Sequence, residues 1–196
     1  ERRVADDSTT CLDLCHKSAQ ILLENLELSA RDIDVIIFVT QTPDHPQPNN
    51  ASLLHSRLDC SLECATFDVS LGCSGFVYGL WLAFSLISNS ASSKVLVLTG
   101  DTLSKLVNKR DRTIAPLFGD AGSATLVEFK EGIGKSFFRL GSNGQGSDAL
   151  KVPAGGSKLP CSRETVKEFV DEDGNIRNLE NLCMDGAAVF NFSIDI

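Results

Sequence analysis

The chain has 196 residues, 42% of them apolar, and a formal net charge of −8. That length carries one sizeable core, and the acidic balance argues against wrapping nucleic acid or lying on an anionic membrane. The longest apolar stretches are broken by Gly, Ser or Tyr and fall short of a spanning helix. Seven cysteines, an odd number without dense spacing, read as reduced thiols of a cytoplasmic protein. The opening ERRVADDSTT lacks the apolar core of a signal peptide.

Asp6, Asp7 and Ser8 offer caps for a first helix, in which Leu12, Cys15, Ala19, Leu22 and Leu26 recur at spacings of three and four. Ser29 with Asp32 resembles a short capping box. Val35–Thr40 is a continuous β-branched run, as expected of a strand covered on both faces. The prolines at 43, 46 and 48 then forbid regular structure, and Asn49 or Asn50 caps a helix through Leu58. Ala65–Val69 and Lys94–Thr99 read as further strands, with Gly100-Asp101-Thr102 at the end of the second. Strands separated by helices argue for an α/β fold with a mostly parallel sheet and helices on its faces. Sites in such sheets lie beyond the carboxyl ends of the strands, where Thr40–Asp44, Cys73 and Gly100–Thr102 all fall. Phe118–Val127 is a glycine-bearing turn running into a strand. Residues 132–156 suggest a strand pair with long loops, Arg163 falls near a surface turn and helix start, and 171–175 read as a solvated turn.

The stretch Ala65–Leu86 organises the rest. Its strand runs into Ser70-Leu71-Gly72-Cys73-Ser74-Gly75, followed by Phe76–Ile87, apolar on nearly every side and so expected to be buried all round. Cys73 falls at or just before the first turn of that helix, where unpaired N–H groups and the macrodipole favour thiolate. Gly72 and Gly75 let backbone and substrate approach the sulfur. These features make Cys73 a candidate nucleophile. Neither G-x-S-x-G nor the papain-type cysteine signature is matched.

Other chemistry-bearing residues read as structural. Cys11/Cys15 and Cys60/Cys64 are each spaced by four, wider than zinc knuckles use, and belong to the core, so no metal site is expected. His16 is expected to face solvent, His45 lies in the proline loop, and His55 lies on a helix with Arg57. Arg112 belongs to a basic cluster, Lys109-Arg110-Asp111-Arg112, which reads either as surface charge or as a binder of anionic phosphate.

The order of pieces resembles the N-terminal half of a β-ketoacyl-acyl-carrier-protein synthase III, within the thiolase superfamily. The resemblance is carried by VIIFVTQTPDHPQP, FDVSLGCSGFVYGL, VLVLTGDTLS, DRTIAPLFGDAGSATLV and MDGAAVFNF. It implies a thiolase-like layered fold with a mostly parallel five-stranded sheet, one half of a duplicated architecture. Residues 1–196 would then be the half-domain carrying the nucleophile, without the half that bears the family's histidine and asparagine. Cys73 matches the cysteine that becomes acylated, and Arg112 an arginine contacting the coenzyme A nucleotide. Ala65–Ser70 would lie at a homodimer interface. Gln47 stands where a phenylalanine often approaches the partner's acyl pocket.

The activity so implied is acylation of Cys73 by acyl-CoA, then decarboxylative condensation with malonyl-acyl carrier protein, in fatty-acid or polyketide-type synthesis. Coenzyme A enters as a substrate thioester, and no separate cofactor is expected. Two rival readings are transfer of the acyl group to an alcohol or amine without decarboxylation, and a noncatalytic dimerisation module.

Overall fold

The capping signal that starts the first helix lies two residues beyond Ser8. In the computed structural model of the chain, which describes residues 2–88, 92–132 and 136–194, Thr10 is the N-cap of α1 (Cys11–Asn25). Its hydroxyl accepts from Asp13 N–H at 3.3 Å, while Asp13 Oδ2 accepts from Thr10 N–H at 2.9 Å. The two orphan donors are thereby satisfied reciprocally. Asp6 closes the preceding turn instead, accepting from the backbone of Ser8 and Thr9.

The chain divides into two units, and the first comprises residues 5–102 and 120–140. Its sheet has the order β2-β1-β3-β4, from β1 (Val35–Val39), β2 (Ala65–Val69), β3 (Lys94–Thr102) and β4 (Asp120–Glu128). β1 is parallel to both neighbours, with Val35 opposite Ala65 and Val95, and β4 is antiparallel, with Lys94 opposite Glu128. The layered α/β class and the mostly parallel sheet hold. The strand count is corrected: among the described residues this sheet has four strands, not five. Among the described residues the expected strand pair over 132–156 yields only β5 (Leu150–Lys151), which belongs to the other unit.

Side-chain alternation divides the core into two layers. Ile36, Phe38, Leu96 and Leu98 pack with α1 and with α2 (Asn50–Leu58). Val35, Ile37, Val39, Val95 and Val97 pack with α3 (Gly75–Ser88). Each of the large side chains fully buried here contributes roughly 1.5–3 kcal/mol of hydrophobic stabilisation.

Two expectations about helices change. α3 is not buried all round: Gly75, Gly79, Ala83 and Ile87 form the covered stripe, while Phe76, Val77 and Trp81 are 42%, 44% and 39% exposed. The small residues let α3 lie close on the sheet, since a Cβ on Gly75 would come within 2.5 Å of Val39 Cγ1. The N-terminus of α2 is satisfied neither by Asn49 nor by Asn50 but by Asp68 of β2. Its two oxygens accept from Asn50 N–H and Ala51 N–H, each at 2.8 Å. Burial raises this carboxyl, against the lowering effect of those same N–H groups.

The second unit comprises the described residues 2–4, 103–119 and 141–194. It holds β5, β6 (Phe169–Val170), β7 (Ile176–Arg177), β8 (Cys183–Met184) and α4 (Gly186–Ile194). β5 pairs with β8 and β6 with β7, both antiparallel. Residues 171–175 are the turn of the β6–β7 hairpin, as expected of a solvated turn, with Gly174 at φ +80°. Arg163 begins a turn rather than a helix.

Candidate active site

β2 ends at Val69, and the backbone turns at once, with Leu71 N–H donating to Val69 O at 3.0 Å and Gly75 N–H to Gly72 O at 2.7 Å. The helical ladder begins with Tyr78 N–H donating to Ser74 O at 3.1 Å. Cys73 therefore precedes the first residue of α3 by two positions, in the turn that the sequence places it in. Its side chain is exposed. Among the described residues the N–H groups of Cys73 and Ser74 have no internal acceptor.

The remaining thiols contrast with it. Cys11, Cys15, Cys60 and Cys64 are buried, and burial pushes the Cys11 and Cys15 thiols up. Cys11 donates to Thr42 O at 2.9 Å and accepts from Asn50 Nδ2 at 3.3 Å, which ties α1 to the proline loop and α2. Cys64 is raised by its hydrogen bond to Cys60 and by burial. Cys161 is exposed, but residual burial and the neighbouring Glu180 raise its thiol. Among the described residues no group of three or more His, Cys, Asp or Glu side chains could hold a metal, and no helix is long and apolar enough to cross a membrane.

The loop after β1 borders the cysteine turn. Thr40 N–H donates to Val69 O at 3.1 Å, continuing the β1–β2 ladder past its last strand pair. Asp101, at the end of β3, gathers the loop: its Oδ1 accepts from the Thr40 hydroxyl, Gln41 N–H, Thr42 N–H and the Thr42 hydroxyl at 2.7–3.1 Å. The sequence placed Thr40–Asp44 and Gly100–Thr102 at the strand ends where a site would lie, without linking them to each other. The role of Asp101 was missed because its partners are about sixty positions away. Polar residues at adjacent strand ends were the available signal.

No histidine joins Cys73 among these contacts. His45 is exposed, and His55 Nε2 is engaged with Ser61 O at 2.8 Å. His16 does not face solvent as expected. It is half-buried, and its Nε2 is covered without a hydrogen-bond partner. Gln47 is exposed in the proline loop.

Arg112 belongs to the second unit, in a segment held at several points. Its backbone N–H donates to Asn175 Oδ1 at 3.0 Å. Asp111, beside it, accepts from the backbone of Thr113 and Ile114 at 2.9 and 3.0 Å and pairs with Arg177 at 2.6 Å. The Arg112 side chain is exposed and has no ion-pair partner among the described residues. Arg110 of the same cluster pairs with Glu168.

The family model of 3-oxoacyl-[acyl-carrier-protein] synthase III matches residues 67–144, which contain Cys73, Asp101 and Arg112. A putative 3-oxoacyl-[acyl-carrier-protein] synthase 3 of Campylobacter jejuni is 39% identical over 194 residues, 99% of this chain and 54% of that protein. A β-ketoacyl-[acyl-carrier-protein] synthase III of Clostridioides difficile is 40% identical over 195 residues, 99% of this chain and 56% of that protein. A crystal structure of a 3-oxoacyl-(acyl-carrier-protein) synthase III superposes with a TM-score of 0.95 at 39% identity, covering 99% of this chain and 58% of the other. The synthase III of Thermus thermophilus superposes at 0.80 with 32% identity, covering 99% and 56%. Over the length it spans, the chain is similar to proteins of the synthase III family. It spans about half the length of the curated relatives it matches. The fold neighbours of the synthase III family also account for the layered α/β architecture built on β1–β4.

Proposed function

We propose that this chain supplies the nucleophile of an acyltransferase of the 3-oxoacyl-acyl-carrier-protein synthase III type. Cys73 Sγ attacks the thioester carbonyl of an acyl-CoA, coenzyme A leaves as the thiol, and the acyl group stays on the sulfur. A malonyl group on acyl carrier protein then loses carbon dioxide, and the resulting carbanion attacks the acyl-cysteine carbonyl. A carbon–carbon bond forms, and the Cys73 thiolate leaves. The observation that carries this reading is the exposed Cys73 at the β2–α3 turn, with the N–H groups of residues 73 and 74 unclaimed. Such donors are suited to the oxyanion of both tetrahedral intermediates. The unpaired Arg112 guanidinium is assigned to the coenzyme A phosphates. The scheme takes acyl-CoA and acyl carrier protein as substrates and draws on no resident cofactor.

A second copy of the chain is the proposed partner at residues 65–70. Supporting this, β2 is an edge strand of the sheet, and Phe76, Val77 and Trp81 of the following helix are exposed.

The natural full-length protein, incubated with acetyl-CoA and digested, should yield an acetyl adduct on the Cys73 peptide. It should then release carbon dioxide from malonyl-acyl carrier protein. Cys73→Ala should do neither. An adduct on another residue, or none at all, rejects the assignment. Acylation without carbon dioxide release favours transfer to an alcohol or amine acceptor.

A further inference from the structure

Gly72 is a glycine for reasons of space rather than of backbone angle. The glycines with positive φ among the described residues are Gly132, Gly155 and Gly174, so the conformation at position 72 does not itself bar a side chain. Gln41 bars it. The three heavy atoms nearest to a Cβ placed on Gly72 are Oε1, Cδ and Nε2 of Gln41, with Cδ at 2.9 Å and Nε2 at 3.3 Å. The carboxamide thus rests against the residue that immediately precedes Cys73. Strand pairing explains the contact: β1 and β2 run parallel with Val39 opposite Val69, so residue 41 leaves the sheet beside residues 71 and 72.

An exposed glutamine ordinarily has many conformations and a mobile backbone, yet the backbone of Gln41 is held. Asp101 Oδ1 accepts from Gln41 N–H at 2.7 Å, Thr42 N–H at 3.1 Å, the Thr40 hydroxyl at 2.9 Å and the Thr42 hydroxyl at 3.0 Å. The Thr42 hydroxyl in turn accepts from Thr102 N–H at 2.9 Å. One carboxylate oxygen therefore fixes three consecutive residues, and the middle one lies on the nucleophile turn. Charge-assisted bonds of this kind are about twice as strong as neutral ones.

We propose that Gln41 is a positioning residue for Cys73: Asp101 sets its backbone, and its carboxamide, seated on Gly72, holds the turn in the geometry from which the sulfur attacks. The proposal rests on the reading of Cys73 as nucleophile. It assigns Gln41 no bond-making step. A site of this type loses rate when its supporting contacts loosen, because small misplacements of an attacking atom are costly.

The test uses the natural full-length protein and the variants Gln41→Ala, Gln41→Glu, Gly72→Ala and the Gln41→Ala/Gly72→Ala pair. Two rates are measured at Cys73 by peptide-resolved mass spectrometry: acylation by acetyl-CoA, and alkylation by iodoacetamide across a pH series. Gln41→Ala should slow acylation by roughly tenfold, with the melting temperature shifted by no more than about 2 °C. Gly72→Ala should show a similar loss. The double variant should be no worse than either single, since both remove the same contact. Gln41→Glu places a carboxylate beside the turn and should move the alkylation profile to higher pH by about half a unit. Unchanged acylation in Gln41→Ala, multiplied losses in the double variant, an unmoved profile in Gln41→Glu, or a melting temperature that falls with the rate would each overturn the proposal. If the unsubstituted protein is alkylated but never acylated at Cys73, the nucleophile assignment fails instead, and the alkylation profiles still decide the role of Gln41.

Discussion

Arg177 Nε donates to Asp111 Oδ2 at 2.6 Å, in an ion pair whose side chains are only 13% and 1% exposed. Burial alone would raise the Asp111 carboxyl. The hydrogen bonds from Thr113, Arg177 and the Ile114 and Thr113 backbone outweigh it and hold the group below its ordinary value. Removing Asp111 leaves the largely buried Arg177 charge with Asp171 Oδ2, at 3.2 Å, as its remaining partner, and leaves the Thr113 and Ile114 N–H groups without their acceptor. Asp111→Ala should therefore cost about 3 kcal/mol in denaturant unfolding near neutral pH. Because the folded value is depressed, this stabilisation is present above the ordinary carboxylate range and is lost as pH falls through the folded value. Equal unfolding midpoints for the variant and the parent would contradict it.

Arg112 is the neighbour of that pair, and its own side chain is not part of it. Since the guanidinium is exposed and has no ion-pair partner among the described residues, Arg112→Ala should leave the melting temperature within about 2 °C. With coenzyme A as its proposed partner, the same change should raise the acyl-CoA KM by roughly tenfold, the worth of one charge-assisted phosphate contact. The two measurements together separate binding from folding. A large stability loss at unchanged KM would return Arg112 to the surface-charge reading.

Cys73 should be the first of the seven thiols to react with limiting iodoacetamide near neutral pH. Four thiols are buried and Cys183 is half-buried, donating to Asn181 O at 3.5 Å. Cys161 is the one competitor of comparable exposure, and burial and Glu180 disfavour its thiolate. Peptide mapping after brief treatment gives the order directly. Modification of Cys161 ahead of Cys73 would remove the physical argument for the nucleophile.

The centre of the sheet was legible because Val35–Val39 and Val95–Leu98 are dense apolar runs rich in β-branched residues, and Cys73 was legible because glycine and serine interrupt an otherwise apolar stretch. What escaped was set by contacts distant in sequence. Phe76–Ile87 is apolar round its whole circumference, so composition alone suggested complete burial. The stripe that contacts the sheet is marked instead by the smallest residues at intervals of four, Gly75, Gly79 and Ala83. The cap of α2 comes from Asp68, seventeen and eighteen positions beyond the N–H groups it satisfies. Gly122 looked like part of a turn, yet it is a strand residue over which α1 passes, with a Cβ there meeting Cys15 N at 2.5 Å. The holding of Gln41 by Asp101 joins the ends of β1 and β3, which only the parallel register brings together.

His16 supplies the last prediction, because a histidine assigned to solvent turned out to have a covered and unpartnered Nε2. Desolvation is the main reason its folded value lies below the ordinary one, and the Arg57 charge acts the same way. A hydrogen bond to the Arg57 backbone and the Asp13 carboxylate oppose them, and Lys17 adds a small lowering effect. The sign of the linkage follows. The unfolded chain takes up a proton on this imidazole at a higher pH than the folded one, so stability increases with pH through that window. Full stability is present above the unfolded value of about 6.5 and is lost as pH falls from there toward the folded value. His16→Gln removes the titration while keeping a polar side chain. Between about pH 7 and pH 5.5 the melting temperature of the parent should therefore fall more steeply than that of the variant. Parallel melting curves over this interval would show that His16 takes up its proton in the folded protein without penalty, and would return it to the solvent-facing role.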